Sequence, residues 1–221
     1  MKPSSVTRTL ELDLSPASGA TASTTIAVLL HGRGSDKHDL QSLRPQIPDD
    51  WTLVTPRAPF PGEPWGYGKG HAWYRYIEED RLDPDTLMES LSILDEFLAA
   101  LPRTTGVTPQ RIVLGGFSQG GTTSLSYAIT RPGAVAAVLN FSGFLPAAIA
   151  VDESGANPPP TPIFWGHGLG DPAIPIGLAE RGRNRLRRAR AQLLTRDFSI
   201  GHWIVPEEVE AAVAMVNGET A

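Results

Sequence analysis

The sequence predicts an α/β fold, a mostly parallel central sheet flanked by helices. Three observations carry that expectation. Short, continuous apolar runs rich in β-branched residues recur along the chain, each run ends in a glycine-rich or polar loop, and amphipathic helical patterns fall between the runs. Continuous apolar runs suit strands covered on both faces, and alternation with helices implies parallel pairing.

In chain order, the opening TRTLELDL alternates polar and apolar residues. It suits an antiparallel edge strand, so residues 1–20 are expected to form an N-terminal edge strand and loop. The further strand candidates are TIAVLLHG from Thr25, WTLVTP from Trp51, RIVLGGF from Arg111, AVAAVLNFSG from Ala134, TPIFWGHG from Thr161 and AQLLTRDF from Ala191. Asp83 and Pro84 supply an N-cap and a proline at the first helical position. Leu87, Leu91, Leu94, Leu98 and Leu101 then form one apolar stripe, and Pro102 is expected to close that helix. Two more helices are expected over 119–131 and 206–217, the latter opened by Pro206 with Glu207 and Glu208 in its first turn. SGANPPPTP, residues 154–162, reads as a surface loop. No repeat or linker interrupts the chain, so one domain without a large cap is expected over 1–221.

Composition narrows the chemistry. A formal net charge of −5 argues against the whole molecule binding nucleic acid. With no cysteine, disulfides, thiolate metal sites and a cysteine nucleophile are excluded. The histidines are scattered, so neither a metal nor another cofactor is expected. No run approaches the roughly 18 apolar residues of a membrane span. The N-terminus lacks the apolar core of a secretory signal, and a cytoplasmic location is expected.

After RIVLGGF comes Gly116-Phe117-Ser118-Gln119-Gly120-Gly121, a G-x-S-x-G pattern between a predicted strand and a predicted helix. That is the setting of a nucleophile elbow in an α/β-hydrolase fold, where the serine sits on a tight turn facing a helix N-terminus. A glycine-rich turn with an incidental serine is the bland alternative, and the flanking elements argue against it. A serine needs a base, and the base an acid to orient it. In this fold they follow in the order Ser, Asp or Glu, His. Of the two histidines after Ser118, His167 sits directly at a strand end, while His202 follows the last strand candidate ahead of the last helix. His202 is therefore the expected base. Asp171, in the loop after PIFWGHG, is favoured as the acid over Asp197, Asp152 and Glu153.

GFSQGG, GHGLGDP and GHWIVPEE in this order, with HGRGSDKHDL, LVTPRAPFP and GHAWYRY upstream, resemble the phospholipase/carboxylesterase family of α/β-hydrolases. That family includes acyl-protein thioesterases and small carboxylesterases, and the likeness runs roughly from Thr25 to Val216. It implies Ser118 as nucleophile, Asp171 as acid and His202 as base, with the Arg33 and Gln119 backbone N–H groups forming the oxyanion hole. Arg33 departs from the uncharged residue usual in relatives and puts a charge at the mouth of the site.

The aromatic segment 55–76 leaves the sheet at the same edge, so Trp65, Tyr67, Trp73 and Tyr74 are candidate pocket walls. Phe144 after a strand and Trp203 beside the base join them; the substrate-binding set is Trp73, Phe144, Trp203 and Trp65. Arg181, Arg183, Arg185, Arg187, Arg188 and Arg190 form a basic run over 181–190, with Leu186, Ala189 and Leu193 as a narrow core stripe. It is expected to be a solvated helix face balanced by acidic residues elsewhere; docking to an anionic surface is the alternative.

The expected function is that of a serine carboxylesterase or thioesterase cleaving short- to medium-chain acyl esters or thioesters. A lysophospholipase or acyl-protein thioesterase working at an anionic surface is one alternative. A non-catalytic α/β-hydrolase-like binding protein is the other, and the intact Ser, Asp and His argue against it. The expected partner is a small-molecule ester or thioester, with a homodimer left open.

Overall fold

The computed structural model describes residues 9–18, 24–78 and 81–219. Its centre is a seven-stranded sheet, and each strand lies on one of the expected strand segments. The strands are β1 (Leu12–Ser15), β2 (Thr25–Leu30), β3 (Thr52–Pro56), β4 (Arg111–Phe117), β5 (Ala137–Phe141), β6 (Ile163–Gly168) and β7 (Leu193–Phe198). Their spatial order is β1-β3-β2-β4-β5-β6-β7. Only the β1–β3 pair is antiparallel, with Leu12 opposite Pro56, which makes β1 the edge strand. Thr7 and Arg8 of the expected edge strand lie outside the described residues.

The continuous apolar runs are explained by burial on both faces. In β2, Ile26, Val28 and Leu30 join one core while Ala27 and Leu29 join the other. The first core packs beneath α1 (Pro84–Thr105), α2 (Gln119–Thr130) and α3 (Ile176–Arg188). The second packs beneath α4 (Pro206–Asn217) and the 3-10 segment Asp39–Gln46. This arrangement is an α/β-hydrolase fold with a mostly parallel sheet. The chain steps outward from β2 to β3 and then returns to the other side of β2 as β4. The carboxyl ends of β2 and β4 therefore flank a topological switch point, where open α/β sheets hold their ligands.

Two expectations about helices are corrected. Asp83 caps α1 by accepting from the Asp85 N–H at 3.0 Å, but Pro102 does not close the helix. The fixed φ of proline is itself helical, and buried Leu101 holds the turn against the core. The stop is Gly106, at φ 72°, a left-handed conformation that a residue with a side chain adopts poorly.

The arginine run keeps the expected solvated, acid-balanced face at Arg181, Arg187, Arg188 and Arg190, all exposed, but its end and its buried member Arg183 differ from the expectation. The helix ends at Arg188, Arg190 is left-handed at φ 55°, and Leu193 begins β7. Arg183 is fully buried, donating to Glu180 at 2.7 Å and to the Trp165 carbonyl at 3.1 Å, with Asp197 2.8 Å away. Arg185 and Arg188 both hold Glu153, at 3.0 and 2.6 Å, and Arg187 reaches Glu180 at 3.2 Å. These guanidinium groups tie α3 to its surroundings through carboxylates and carbonyls.

One buried acid lies at the start of α4. Glu208 is fully buried against Gly166 of β6, and among the described residues no close hydrogen bond reaches either carboxyl oxygen. Burial pushes its carboxyl up to about 8. In the unfolded chain the group ionises near its ordinary 4.5, while the folded chain keeps the proton. Stability is therefore expected to fall as pH rises through that window, by about 1.4 kcal/mol per unit at most. Urea midpoints measured at both ends should show the slope in the parent and a flatter profile in Glu208→Gln.

Candidate active site

Ser118 sits between β4 and α2, at the switch point, with φ 54° and ψ −112°. A non-glycine residue held at positive φ is strained, and here the surroundings impose it. The Ser118 N–H donates to the Phe141 carbonyl at 2.8 Å, while its own carbonyl accepts from the Thr122 N–H at 3.0 Å. α2 then packs so close to β2 that a Cβ at Gly120 would overlap the Leu30 carbonyl. That is the physical reason for glycine two residues after the serine.

His202 arrives from the loop after β7, and its Nε2 lies 2.9 Å from Ser118 Oγ. Its Nδ1 lies 2.6 Å from Asp171 Oδ2. The Asp171 side chain is buried, and its other oxygen, Oδ1, accepts from the Ala173 and Ile174 N–H groups, both at 2.9 Å. With Oδ1 occupied, Oδ2 faces the imidazole and selects the tautomer protonated on Nδ1. The Nε2 lone pair then points at the serine hydroxyl. The Phe117 ring packs on the imidazole at 4.7 Å. The structure thus brings Ser118, His202 and Asp171 together in one line. Asp197 instead pairs with Arg183, and Glu153 and Asp152 lie in interactions away from His202.

Gln119 N is the first helical donor of α2, and Arg33 N lies in the loop after β2. Among the described residues, no backbone carbonyl takes either N–H. The loop carrying Arg33 is clamped by the aromatic segment. The Gly34 N–H donates to the His71 carbonyl at 2.8 Å, and Gly34, at φ 74°, would bring a Cβ within 2.5 Å of the Tyr67 carbonyl. The Gln119 side chain fastens that segment from the other side, accepting from Trp73 N at 2.8 Å and donating to the Tyr74 carbonyl at 2.7 Å.

The remaining buried histidines are struts. His31 donates from Nδ1 to the Gly32 carbonyl at 2.7 Å and accepts at Nε2 from Ala58 N at 3.0 Å. His167 donates from Nε2 to the Ile174 carbonyl at 2.8 Å, behind Asp171. Burial lowers the pKa of both, which keeps them neutral. Among the described residues no group of three or more His, Asp or Glu side chains could hold a metal ion.

Ser118 and His202 open into a cleft of about 570 Å³. Tyr76, Ile77, Phe117, Pro172, Ala173 and Ile174 form its apolar wall, and Arg33, Ser35, Asp39 and Glu78 its polar side. The expected tryptophan walls lie elsewhere. Trp73 is fully buried, donating from Nε1 to the His31 carbonyl at 3.0 Å. Phe144 is buried one layer back, stacked on Tyr76 at 6.4 Å. Trp65 packs within its own loop, 5.1 Å from Phe60 and 5.9 Å from Tyr67. Trp203 is 55 % exposed beside the base and does not line the cleft. Tyr67 and Tyr74 are also absent from the lining. The walls that sequence reasoning missed carried one usable signal: Pro172, Ala173 and Ile174 directly follow the acid.

The chain is similar to known proteins in sequence and in fold. A sequence model of the phospholipase/carboxylesterase family matches residues 15–218. Acyl-protein thioesterase 1 of Saccharomyces cerevisiae is 30 % identical over 155 residues, 66 % of this chain and 67 % of that one. The protein of the same name from Cryptococcus neoformans is 30 % identical over 185 residues, 77 % and 74 % of the two chains. Among solved structures, esterase PE8 superposes with a TM-score of 0.79 at 28 % identity, covering 96 % of this chain and 100 % of its own.

Proposed function

The chain belongs to the phospholipase/carboxylesterase family, and from that membership we propose that it cleaves short- to medium-chain acyl esters or thioesters by acyl transfer through Ser118. The observation that carries this reading is the unbroken hydrogen-bond line Ser118–His202–Asp171, 2.9 and 2.6 Å long, opening into the cleft.

In the first step His202 Nε2 takes the Ser118 proton as Oγ attacks the substrate carbonyl. Asp171 holds the imidazole and stabilises the imidazolium that forms. The negative charge on the carbonyl oxygen is received by the Arg33 and Gln119 amides, which no backbone carbonyl among the described residues takes. One such donor typically contributes about 10²–10³ in rate. His202 then protonates the departing alcohol or thiol, leaving an acyl group on Ser118. Water, activated by the same imidazole, releases the acid and restores the serine.

The apolar wall from Tyr76 to Ile174 suits an acyl chain, while the polar side of the cleft suits a hydrated leaving group. The thioester option draws support from the names of the fungal relatives. The arginines of α3 have no role in this reading, because carboxylates of the same chain already hold those described above.

A series of p-nitrophenyl esters and matching thioesters, from acetyl to palmitoyl, tests the substrate range. The reading expects kcat/KM to peak at short to medium chains and fall toward palmitoyl. Such a pocket separates neighbouring lengths by only about 1–3 kcal/mol per methylene. A continuous rise toward palmitoyl would contradict it.

A further inference from the structure

We propose that this enzyme selects esters that carry a carboxylate, and that the guanidinium of Arg33 is the group that selects them. The inference deepens the ester-hydrolase reading and rests on it.

Arg33 holds two positions in the site at once. Its backbone N–H is the proposed oxyanion donor, while the residue lines the same cleft as Ser118 and His202. The guanidinium carbon stands 5.0 Å from the Tyr67 ring centroid and 5.2 Å from that of Tyr76. Both rings are themselves fixed. Tyr67 OH accepts from Tyr76 N at 2.7 Å, Tyr76 OH lies 3.2 Å from Tyr74 OH, and Tyr76 stacks on buried Phe144. Stacking engages the face of a guanidinium and leaves its in-plane N–H edge available, in the fork that matches a carboxylate. Two aromatic contacts also restrain a side chain that would otherwise lose rotamer freedom on binding.

Charge balance in the cleft sharpens the assignment. Among the described residues, the carboxylates lining it are Asp39 and Glu78, and each has a partner. Asp39 accepts from Ser35 Oγ at 2.8 Å, and Glu78 pairs with Arg81 at 2.9 Å. No carboxylate among the described residues pairs with Arg33. Within the polar lining of the cleft, Asp39 and Glu78 repel an anionic substrate group, and the tyrosine-held guanidinium is the cation that attracts it. A carboxylate there would form charge-assisted hydrogen bonds, which are among the stronger polar contacts.

The test compares kcat/KM for charged and neutral esters of equal size. One pair places the carboxylate on the acyl side, p-nitrophenyl hemiglutarate against p-nitrophenyl 4-carbamoylbutyrate. The other places it on the leaving group, 4-carboxyphenyl butyrate against 4-carbamoylphenyl butyrate. The readout is the charged-to-neutral ratio in the parent, Arg33→Gln and Arg33→Lys. Any displacement of the backbone donor affects both members of a pair and divides out. In at least one pair the ratio should fall about tenfold in Arg33→Gln and recover in part in Arg33→Lys. It should also shrink with added salt in the parent. A ratio equal in parent and Arg33→Gln in both pairs would overturn the proposal. Failure of the parent to hydrolyse any ester, neutral ones included, would instead overturn the hydrolase reading beneath it.

Discussion

Replacing Ser118 with Ala is expected to lower kcat for ester hydrolysis by about 10⁶-fold, the scale seen when a triad nucleophile is removed. Among the described residues Ser118 Oγ is the side-chain oxygen hydrogen-bonded to His202 Nε2, so no neighbour stands in for it. Residual turnover would come from the Arg33 and Gln119 amides polarising a bound carbonyl for attack by water. The fold should survive the change. Backbone bonds to Phe141 and from Thr122 hold the turn, and alanine at φ 54° meets the same backbone restriction as serine. A thermal midpoint within about 4 °C of the parent, corresponding to roughly 1 kcal/mol, would show that the loss is chemical.

Asp171→Asn should lower kcat by about 10⁴-fold while leaving the heavy atoms of the site nearly in place. The argument depends on which oxygen does what. Oδ1 accepts from two backbone N–H groups, so in the variant the amide oxygen must occupy that position. The amide NH₂ then faces His202 Nδ1 and donates to it. That reverses the tautomer: the ring proton moves to Nε2, which points at Ser118 and can no longer accept the hydroxyl proton. The fall should appear in kcat for neutral esters, with KM changed far less, because Asp171 touches the base and does not line the cleft. A loss of tenfold or less would mean that His202 does not depend on Asp171 for its tautomer.

What the sequence disclosed divides by how local the determinants are. The Ser118 turn was legible because its requirements lie within a few residues: a strand before, a helix after, and glycine where α2 crosses β2. His202 followed from chain order, since only two histidines lie beyond Ser118. The pocket walls were not legible. Trp73 reads as a wall from its position at the sheet edge, but a large ring gains more from full burial. The Gln119 side chain, distant in sequence, pins the neighbouring backbone above it. Tyr76 and Ile77 line the cleft instead, placed by that same clamp. The arginine run shows the same limit. A solvated face balanced by acids was legible in the charge pattern, but the burial of Arg183 was not, because its partner Asp197 is brought to it only by the fold. At Pro102 a local rule yields to packing of Leu101 and to the better stop four residues on.

The central claim, that Ser118 is made nucleophilic by His202, is tested most directly by mass spectrometry after treatment with a fluorophosphonate probe. The parent should gain one adduct, mapped to the peptide holding Ser118. Ser118→Ala should gain none at the same dose, and His202→Ala should label far more slowly. An adduct on any other residue of the parent, or undiminished labelling in His202→Ala, would contradict it.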